Sequence, residues 1–363
     1  MKKKFKIAID VSPLNDGNAI RGVGHYTKEL SKALQNEIKT NPDYKNYQID
    51  LIEDCGLKIE DYNLVHYPYF DPFKLTLPKT SKPYIVTCHD LIPRAFREHF
   101  PVGIKGEIKW QIQKHRLQHA DYIICPSHSA KYQILDHIHY SPDKIFTTYE
   151  AASPEFRPHP PEKYNYIYKK YNLPKKFVLF LGDINWNKNI PGLVKACLSL
   201  KYPLVIAGSA AKKEVPNHPW TQDILWLQSK SKELGKQRSK ALTLTGFVPD
   251  EDLPYLLNAA TIYCQPSFSE GFGLPLVQAM QSGTPIAYSQ ESCLSEIMDF
   301  NGEFFDPYKI SSIKKALKKL WDNPTLRRQY STSGLKRAKF FSWQKTALET
   351  LWVYSLVEID EKK

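Results

Sequence analysis

The stretch "PSFSEGFGLPLVQAMQSGTP" (266–285) sets a glutamate, two glycines and a proline in one short turn and then runs into an apolar segment. The residues before it, "TIYCQ" (261–265), read as a strand. Pro275 suits the first turn of a helix, where its missing N–H costs nothing. Gly283, with Pro285 beyond it, suits the stop. The spacing predicts a helix over 275–282. Leu274 is a poor side-chain cap, so the first backbone N–H groups stay available to a ligand. Gly271 and Gly273 let an anion approach the backbone closely. Strand, glycine loop and open helix N-terminus make a phosphate-binding arrangement. Glu270 sits beside that pocket, and Gln278, one turn into the helix, leans back toward it. A carboxylate there suits hydroxyls, so the pocket reads as one for a nucleotide or a sugar phosphate. A structural turn with Glu270 solvated is the alternative.

The same strand–helix alternation runs through the chain. "FKIAIDVS" (5–12), "YQIDLIE" (47–53), "YIVTCHD" (84–90) and "YIICPS" (122–127) read as buried strands of the first half. "FVLFLGD" (177–183), "YPLVIAGS" (202–209), "LTLTGF" (242–247), "TIYCQPS" (261–267) and "TPIAYS" (284–289) read as those of the second. Strands apolar on both faces and separated by helices imply parallel sheets in α/β domains. The proline-rich "ASPEFRPHPPEKYNY" (152–166) is the linker candidate, with the boundary near 155–170. Two such domains leave a cleft, and ligands of open parallel sheets sit at strand C-terminal ends.

At 363 residues the chain has room for two domains, and 42% hydrophobic content excludes a disordered one. The formal charge of +12 implies anionic partners. No helix-turn-helix, zinc-finger or RNA-binding signature accompanies it, which argues against nucleic acid. Cys55, Cys88, Cys125, Cys197, Cys264 and Cys293 are scattered, form no C-x-x-C pair and mostly sit in apolar runs, which implies reduced thiols and a cytoplasmic setting. No metal-ligand cluster is visible. "MKKKFKIAIDVSP" (1–13) is too short in its apolar part for a signal peptide and reads as a first strand.

The Glu-Gly-Phe-Gly-Leu-Pro segment resembles the signature of retaining glycosyltransferases with the GT-B fold, glycosyltransferase family 4. The resemblance extends in order through "RGVGHYTKEL" (21–30), "VTCHDLIPRAF" (86–96), "HADYIICPSHSAKYQIL" (119–135), "FLGDINWNKNIPGLVKA" (180–196), "LTGFVPDEDLPYLLNAA" (244–260) and "FFSWQKTALETLWVY" (340–354). It implies an α/β GT-B architecture of two Rossmann-like domains facing across a cleft. An acceptor-binding domain over 1–160 and a nucleotide-sugar domain over 161–340 follow, with a crossover helix over 341–363 that returns to the first. It implies a hexosyltransferase that needs no metal and no cofactor beyond its donor, a GDP- or UDP-sugar. The acceptor would be a glycan or a lipid-linked hydroxyl. Mannose is favoured, because the His-Asp-Leu-Ile-Pro type recurs among polysaccharide mannosyltransferases.

Carried over residue by residue, the resemblance gives Glu270 the donor sugar and Gln278 the nucleotide ribose. Lys188 and the backbone of Gly271, Phe272, Gly273 and Leu274 would hold the diphosphate. His89 would support the reacting sugar, and Gly22 and Gly24 would lie near donor phosphates and acceptor, with Arg21 beside them. Taken alone, His89 is a strand-end histidine, Lys188 a surface charge and Gly22–Gly24 a tight turn. Asp90 would orient His89 or cap the following turn, and Glu296 would lie near the nucleotide or on a helix surface.

Two positions depart from the family. Gln278 stands where a second acid is usual; losing the charge costs about 1–1.5 kcal/mol of hydrogen bonding, roughly tenfold in affinity. Asp183 stands where many relatives carry arginine. Both motivate a rival reading, a degenerate binding or scaffolding partner on the same fold; a phosphorylase is a second rival. Ten basic residues between Lys309 and Lys339 lie around an apolar stripe of Ile313, Ala316, Leu317, Leu320 and Trp321. This is a core-docked helix with a solvated face or, with "IKGEIKWQIQKHRLQ" (104–118), a surface for peripheral contact with an anionic membrane.

Overall fold

The computed structural model describes residues 4–19, 21–53, 59–235 and 240–360. Cys55 lies outside them. The chain forms two compact units, Met1–Ala151 with Phe341–Lys363, and Ala152–Phe340.

In the first unit six parallel strands lie in the order β2-β1-β3-β4-β5-β6. They are β1 (Phe5–Asp10), β2 (Tyr47–Ile52), β3 (Leu64–Tyr67), β4 (Tyr84–Thr87), β5 (Tyr122–Cys125) and β6 (Ile145–Thr147). The helices are α1 (Gly22–Thr40), α2 (Ile92–Ala95), α3 (Gly103–Gln118) and α4 (His128–His137). Side chains alternate across the sheet. Ile7, Ile9, Leu64, Ile85 and Ile124 pack with Tyr26, Leu30 and Leu34 of α1. Ala8, Val65, Tyr67, Val86 and Ile123 pack with Trp110 and Leu117 of α3 and Ile134 of α4. Burial on both faces explains why these strands read as continuous apolar runs.

The second unit opens with α5 (Pro161–Lys170) and carries a parallel sheet in the order β12-β11-β10-β7-β8-β9. Its strands are β7 (Val178–Leu181), β8 (Leu204–Ala207), β9 (Leu242–Gly246), β10 (Ile262–Gln265), β11 (Ile286–Ser289) and β12 (Glu303–Phe305). Between and after them run α6 (Ile190–Leu200), α7 (Gln222–Leu234), α8 (Leu253–Ala259), α9 (Leu274–Gln281), α10 (Leu294–Met298), α11 (Ile310–Asp322) and α12 (Pro324–Ala338). The last helix, α13 (Trp343–Asp360), returns to the first unit, where Ala347, Leu351, Tyr354 and Val357 join the α1 side of the core.

Sequence reading missed β3, β6 and β12. The apolar run of β3 is interrupted by the buried His66, and β6 and β12 are three-residue edge strands, too short to show a period. The division falls between Ala151 and Ala152 rather than at 160. The proline-rich segment belongs to the second unit. The His159 N–H donates to Asn258 Oδ1 (2.8 Å), Asn258 Nδ2 donates to the Arg157 carbonyl (2.9 Å), and Pro161 starts α5.

The basic segment is core-docked. Ile313, Ala316, Leu317 and Leu320 of α11 are buried, and Trp321 stacks on Tyr202 at 4.2 Å. Lys319 pairs with Glu303 at 2.7 Å and Lys318 with Asp322 at 2.6 Å. Arg337 donates to the carbonyls of Glu296 and Ile297. Apart from the local Asp322, the counter-charge and acceptors come from neighbouring elements, β12 and α10.

Candidate active site

Strand β10 ends at Gln265, and the next five residues fold back so that Glu270 faces the strand end. Glu270 is 7% exposed. Its Oε1 accepts from Gln265 Nε2 (2.7 Å), Ser267 Oγ (2.6 Å) and Lys188 Nζ (2.8 Å). Its Oε2 accepts from Lys188 Nζ at 2.6 Å. The carboxylate is therefore fixed through one oxygen, while the other meets only the lysine among the described residues. Gln265 is itself held, its Oε1 accepting from the buried Tyr263 hydroxyl and its Nε2 donating to Ser267 Oγ (2.8 Å). Burial drives the Tyr263 phenol well above its ordinary range, and the Glu270 charge adds to this, so it stays a donor.

Lys188 arrives from the other side, on the turn after β7. Asn189, in the left-handed conformation at φ 51°, ends that turn and begins α6. Its Nδ2 donates to the carbonyls of Pro266 (3.2 Å) and Pro307 (2.9 Å). The Asn187 carbonyl accepts from the Phe268 N–H (2.7 Å), and Asn187 Nδ2 donates to the Ser269 carbonyl (2.9 Å). Two buried asparagines thus lock the β7 and β10 loops in register, which sets the Lys188–Glu270 distance.

Helix α9 starts at Leu274, one residue earlier than the spacing predicts. Gly273 is its N-cap at φ +85° and offers no capping side chain. The left-handed backbone calls for glycine, and a Cβ there would also press on Leu294 Cδ2 at 2.9 Å. The helix stops as expected: Gly283, at φ +72°, donates to the Met280 carbonyl and Thr284 to that of Ala279. Gly271 and Phe272 form the loop into the helix, and the Phe272 ring is buried. Gln278, on α9, is 7% exposed.

His89, Gly22 and Gly24 lie in the first unit. His89 follows β4. Its Nδ1 faces Glu150 Oε1 at 3.2 Å, its Nε2 faces the Pro68 carbonyl at 3.1 Å, and the Tyr26 ring meets it edge-on at 4.7 Å. Burial lowers the His89 pKa, but the hydrogen bond and charge of Glu150, the Pro68 carbonyl and Asp90 outweigh it, and the net shift is upward. Nearby His66 is pushed the other way, to about 3, by burial and by the His89 charge. Asp90 caps the next turn, accepting from the Ile92 N–H at 3.0 Å. Gly22 and Gly24 are in the first turn of α1 rather than in a free loop. A Cβ on Gly24 would stand 2.5 Å from the Asn18 carbonyl oxygen, so the chain itself uses that space; Gly22 has open space around it.

Among the described residues no group of three or more His, Cys, Asp or Glu side chains could hold a metal ion. Cys88, Cys125, Cys197, Cys264 and Cys293 are buried free thiols. Sequence reading missed Gln265, Ser267, Asn187, Asn189 and Glu150. The first two are legible as the period-2 continuation of Tyr263 along β10. Glu150 has no local signal, since its partner is 61 positions away.

The family described as Glycosyl transferases group 1 matches residues 167–337, and that described as Glycosyltransferase Family 4 matches residues 48–156. O-antigen chain mannosyltransferase B of Escherichia coli is 30% identical over 83% of this chain and 81% of its own length. The serotype-specific mannosyltransferase WbdA of Escherichia coli is 28% identical over 76% of this chain, which spans 34% of that longer protein. Two solved structures share the fold. Sucrose-phosphate synthase from Thermosynechococcus elongatus has a TM-score of 0.75 at 18% identity, over 98% of this chain and 100% of that one. Anabaena HepE, in complex with UDP and glucose, has a TM-score of 0.72 at 14% identity, over 97% of this chain and 99% of that one. With both families matched in order and a relative aligned over most of both chains, this chain belongs to the group 1 glycosyltransferases of family 4 and is a hexosyltransferase of the GT-B fold.

Proposed function

We propose that the enzyme transfers mannose, with retention of anomeric configuration, from a guanosine diphosphate donor to a glycan or lipid-linked hydroxyl in polysaccharide or cell-envelope glycan synthesis. The observation that carries this reading is the Lys188–Glu270 pair beside the uncapped start of α9. The names of the mannosyltransferase relatives support the sugar.

In this reading the donor diphosphate takes the Lys188 ammonium and the backbone N–H groups around Gly271–Leu274, with Gly22 and Gly24 near its phosphates. Glu270 Oε2, freed from Lys188, accepts from a hydroxyl of the donor sugar. Gln278 meets the ribose. As the bond from the anomeric carbon to the phosphate oxygen breaks, negative charge grows on the diphosphate. A fixed cation there stabilises the transition state more than the ground state. The acceptor hydroxyl attacks from the same face and its proton passes to the departing phosphate oxygen. His89 supports the reacting sugar. No cofactor or metal takes part. A thermal-shift panel of GDP, UDP, ADP and dTDP without metal tests it, since a ligand that binds only the native state raises stability with its concentration. A shift with GDP alone supports the reading. A shift with another nucleotide replaces the donor, and none with any removes the donor site.

The exposed face of α3 favours an anionic membrane surface as a further partner. Ile104, Ile108 and Ile112 form one ridge, 82%, 56% and 36% exposed, while Gly106, Trp110, Gln113 and Leu117 face the core. Lys105 and Lys109 are exposed beside the ridge. Glu107 is occupied by Arg94 (2.8 Å) and Arg97 (3.0 Å). A groove of about 670 Å³ lined by Phe100, Val102, Ile104 and Ile108 continues the apolar face. Apolar residues rimmed by cations suit shallow insertion among acidic headgroups. No helix among the described residues is long and apolar enough to cross a membrane. We place the enzyme in the cytoplasm, peripheral to the inner membrane face, and the buried free thiols support that setting.

A further inference from the structure

His89 stands between two acceptors that come from different parts of the first unit. The Pro68 carbonyl follows β3 and the Glu150 carboxylate follows β6. A carbonyl cannot donate, and a carboxylate only accepts when ionised. With Glu150 ionised, satisfying both contacts requires a proton on each ring nitrogen, which makes the ring an imidazolium. The Tyr26 ring, at 89° to the imidazole, blocks rotation out of this arrangement. Glu150 is 6% exposed, and among the described residues His89 is its one hydrogen-bond partner. A buried carboxylate with a single partner is costly unless that partner carries charge.

We propose that Glu150 is a positioning residue for the transfer reaction: it fixes the His89 ring and holds it as an imidazolium within a net-neutral pair. The inference rests on the reading that His89 supports the reacting sugar. Its chemical sense lies in the sign of the charges. Positive charge grows at the anomeric carbon as the leaving group departs, and a lone imidazolium would oppose it. With Glu150 as counter-ion the pair adds no net charge, while the ring stays oriented by two hydrogen bonds. The other groups facing His89 do not replace Glu150. His66 on β3 is engaged by Thr87 (2.8 Å) and Tyr354 (2.6 Å), Asp90 caps its own turn, and Tyr26 bonds Thr87 at 3.1 Å. The net upward shift of the His89 pKa agrees with this.

The test compares the full-length wild type with Glu150→Gln by ring 15N NMR of labelled histidine and by the pH profile of kcat/KM. In the wild type both His89 nitrogens are expected to carry protons at pH 7.5, an observation that needs no variant. Glu150→Gln is expected to shift His89 titration and the basic limb of the profile together to lower pH. Activity then falls about tenfold per pH unit above the new value. KM for the donor is expected to stay within about twofold, and Glu150→Asp to restore part of the profile. A neutral His89 at pH 7.5 in the wild type would overturn the proposal, as would an unchanged profile in Glu150→Gln. His89→Ala separates the two readings. If it transfers normally, the role of His89 itself fails. If it is inactive while Glu150→Gln matches the wild type at every pH, only the positioning role of Glu150 fails.

Discussion

Lys188 Nζ stands 2.6 Å from Oε2 and 2.8 Å from Oε1 of Glu270, so one cation spans both oxygens of a buried carboxylate. In the proposed mechanism a diphosphate entering the site would compete with Glu270 for that cation and free Oε2 for the sugar. Lys188→Ala is expected to lower kcat and kcat/KM together by about 10²–10³, the usual cost of one preorganised donor to developing charge. Steady-state kinetics check this; a change confined to KM would leave Lys188 a ground-state contact only.

Gln278 is 7% exposed on α9, which suits an amide that meets its partner on the ligand. Gln278→Glu is expected to lower Tm in buffer, because an unpaired buried carboxylate is penalised. It is expected to bind GDP about tenfold tighter, because charge-assisted bonds to ribose hydroxyls are stronger. Titration calorimetry beside thermal unfolding separates the two effects.

Gly273 combines φ +85° with a Cβ position 2.9 Å from Leu294 Cδ2. Gly273→Ala is expected to cost about 1–2 kcal/mol from the left-handed backbone alone, before the clash. Urea denaturation of the purified variant measures it.

Asp252 accepts from Tyr166 (2.7 Å), Lys170 (2.6 Å) and Tyr171 (2.5 Å), tying α5 to the start of α8. Burial works to raise its pKa, but the hydrogen bonds from Lys170, Tyr171 and Tyr166 win and lower it. A depressed carboxylate contributes stability above its unfolded value near 3.8, and that contribution is lost as pH falls through the lower folded value. Asp252→Asn is expected to cost about 2 kcal/mol at pH 7, from bonds to a charged acceptor. The variant and wild-type stability curves should converge in strong acid.

On α3, Ile104→Glu with Ile108→Glu is expected to abolish sedimentation with vesicles containing anionic phosphatidylglycerol. Soluble transfer to a short primer should be unchanged, since both side chains are exposed and the proposed catalytic and donor-binding roles fall on other residues. Equal binding of wild type and variant would remove this face from membrane contact.

The fold was legible where burial leaves a long pattern. Strand β10 can be read from its apolar run, and the Gly273 turn and the Gly283 stop from 261–285, since each glycine sits at a positive φ. Strands β3, β6 and β12 could not be read: His66 interrupts the apolar run of β3, and β6 and β12 are three-residue edge strands. Lys188 and Glu270 were legible through their motif segments, but their direct pairing was not, since 82 positions separate them. Glu150 was hidden for the same reason, and the nearer acid, Asp90, turned out to cap a turn.

The most direct test of donor, stereochemistry and site together is proton NMR of GDP-α-mannose incubated with the wild type, or with Glu270→Ala, and an octyl α-mannoside primer. Wild type is expected to release GDP and form a new α-mannoside, and Glu270→Ala is expected to form little or none. A β-linked product, or equal turnover by Glu270→Ala, would contradict retention or the assigned site.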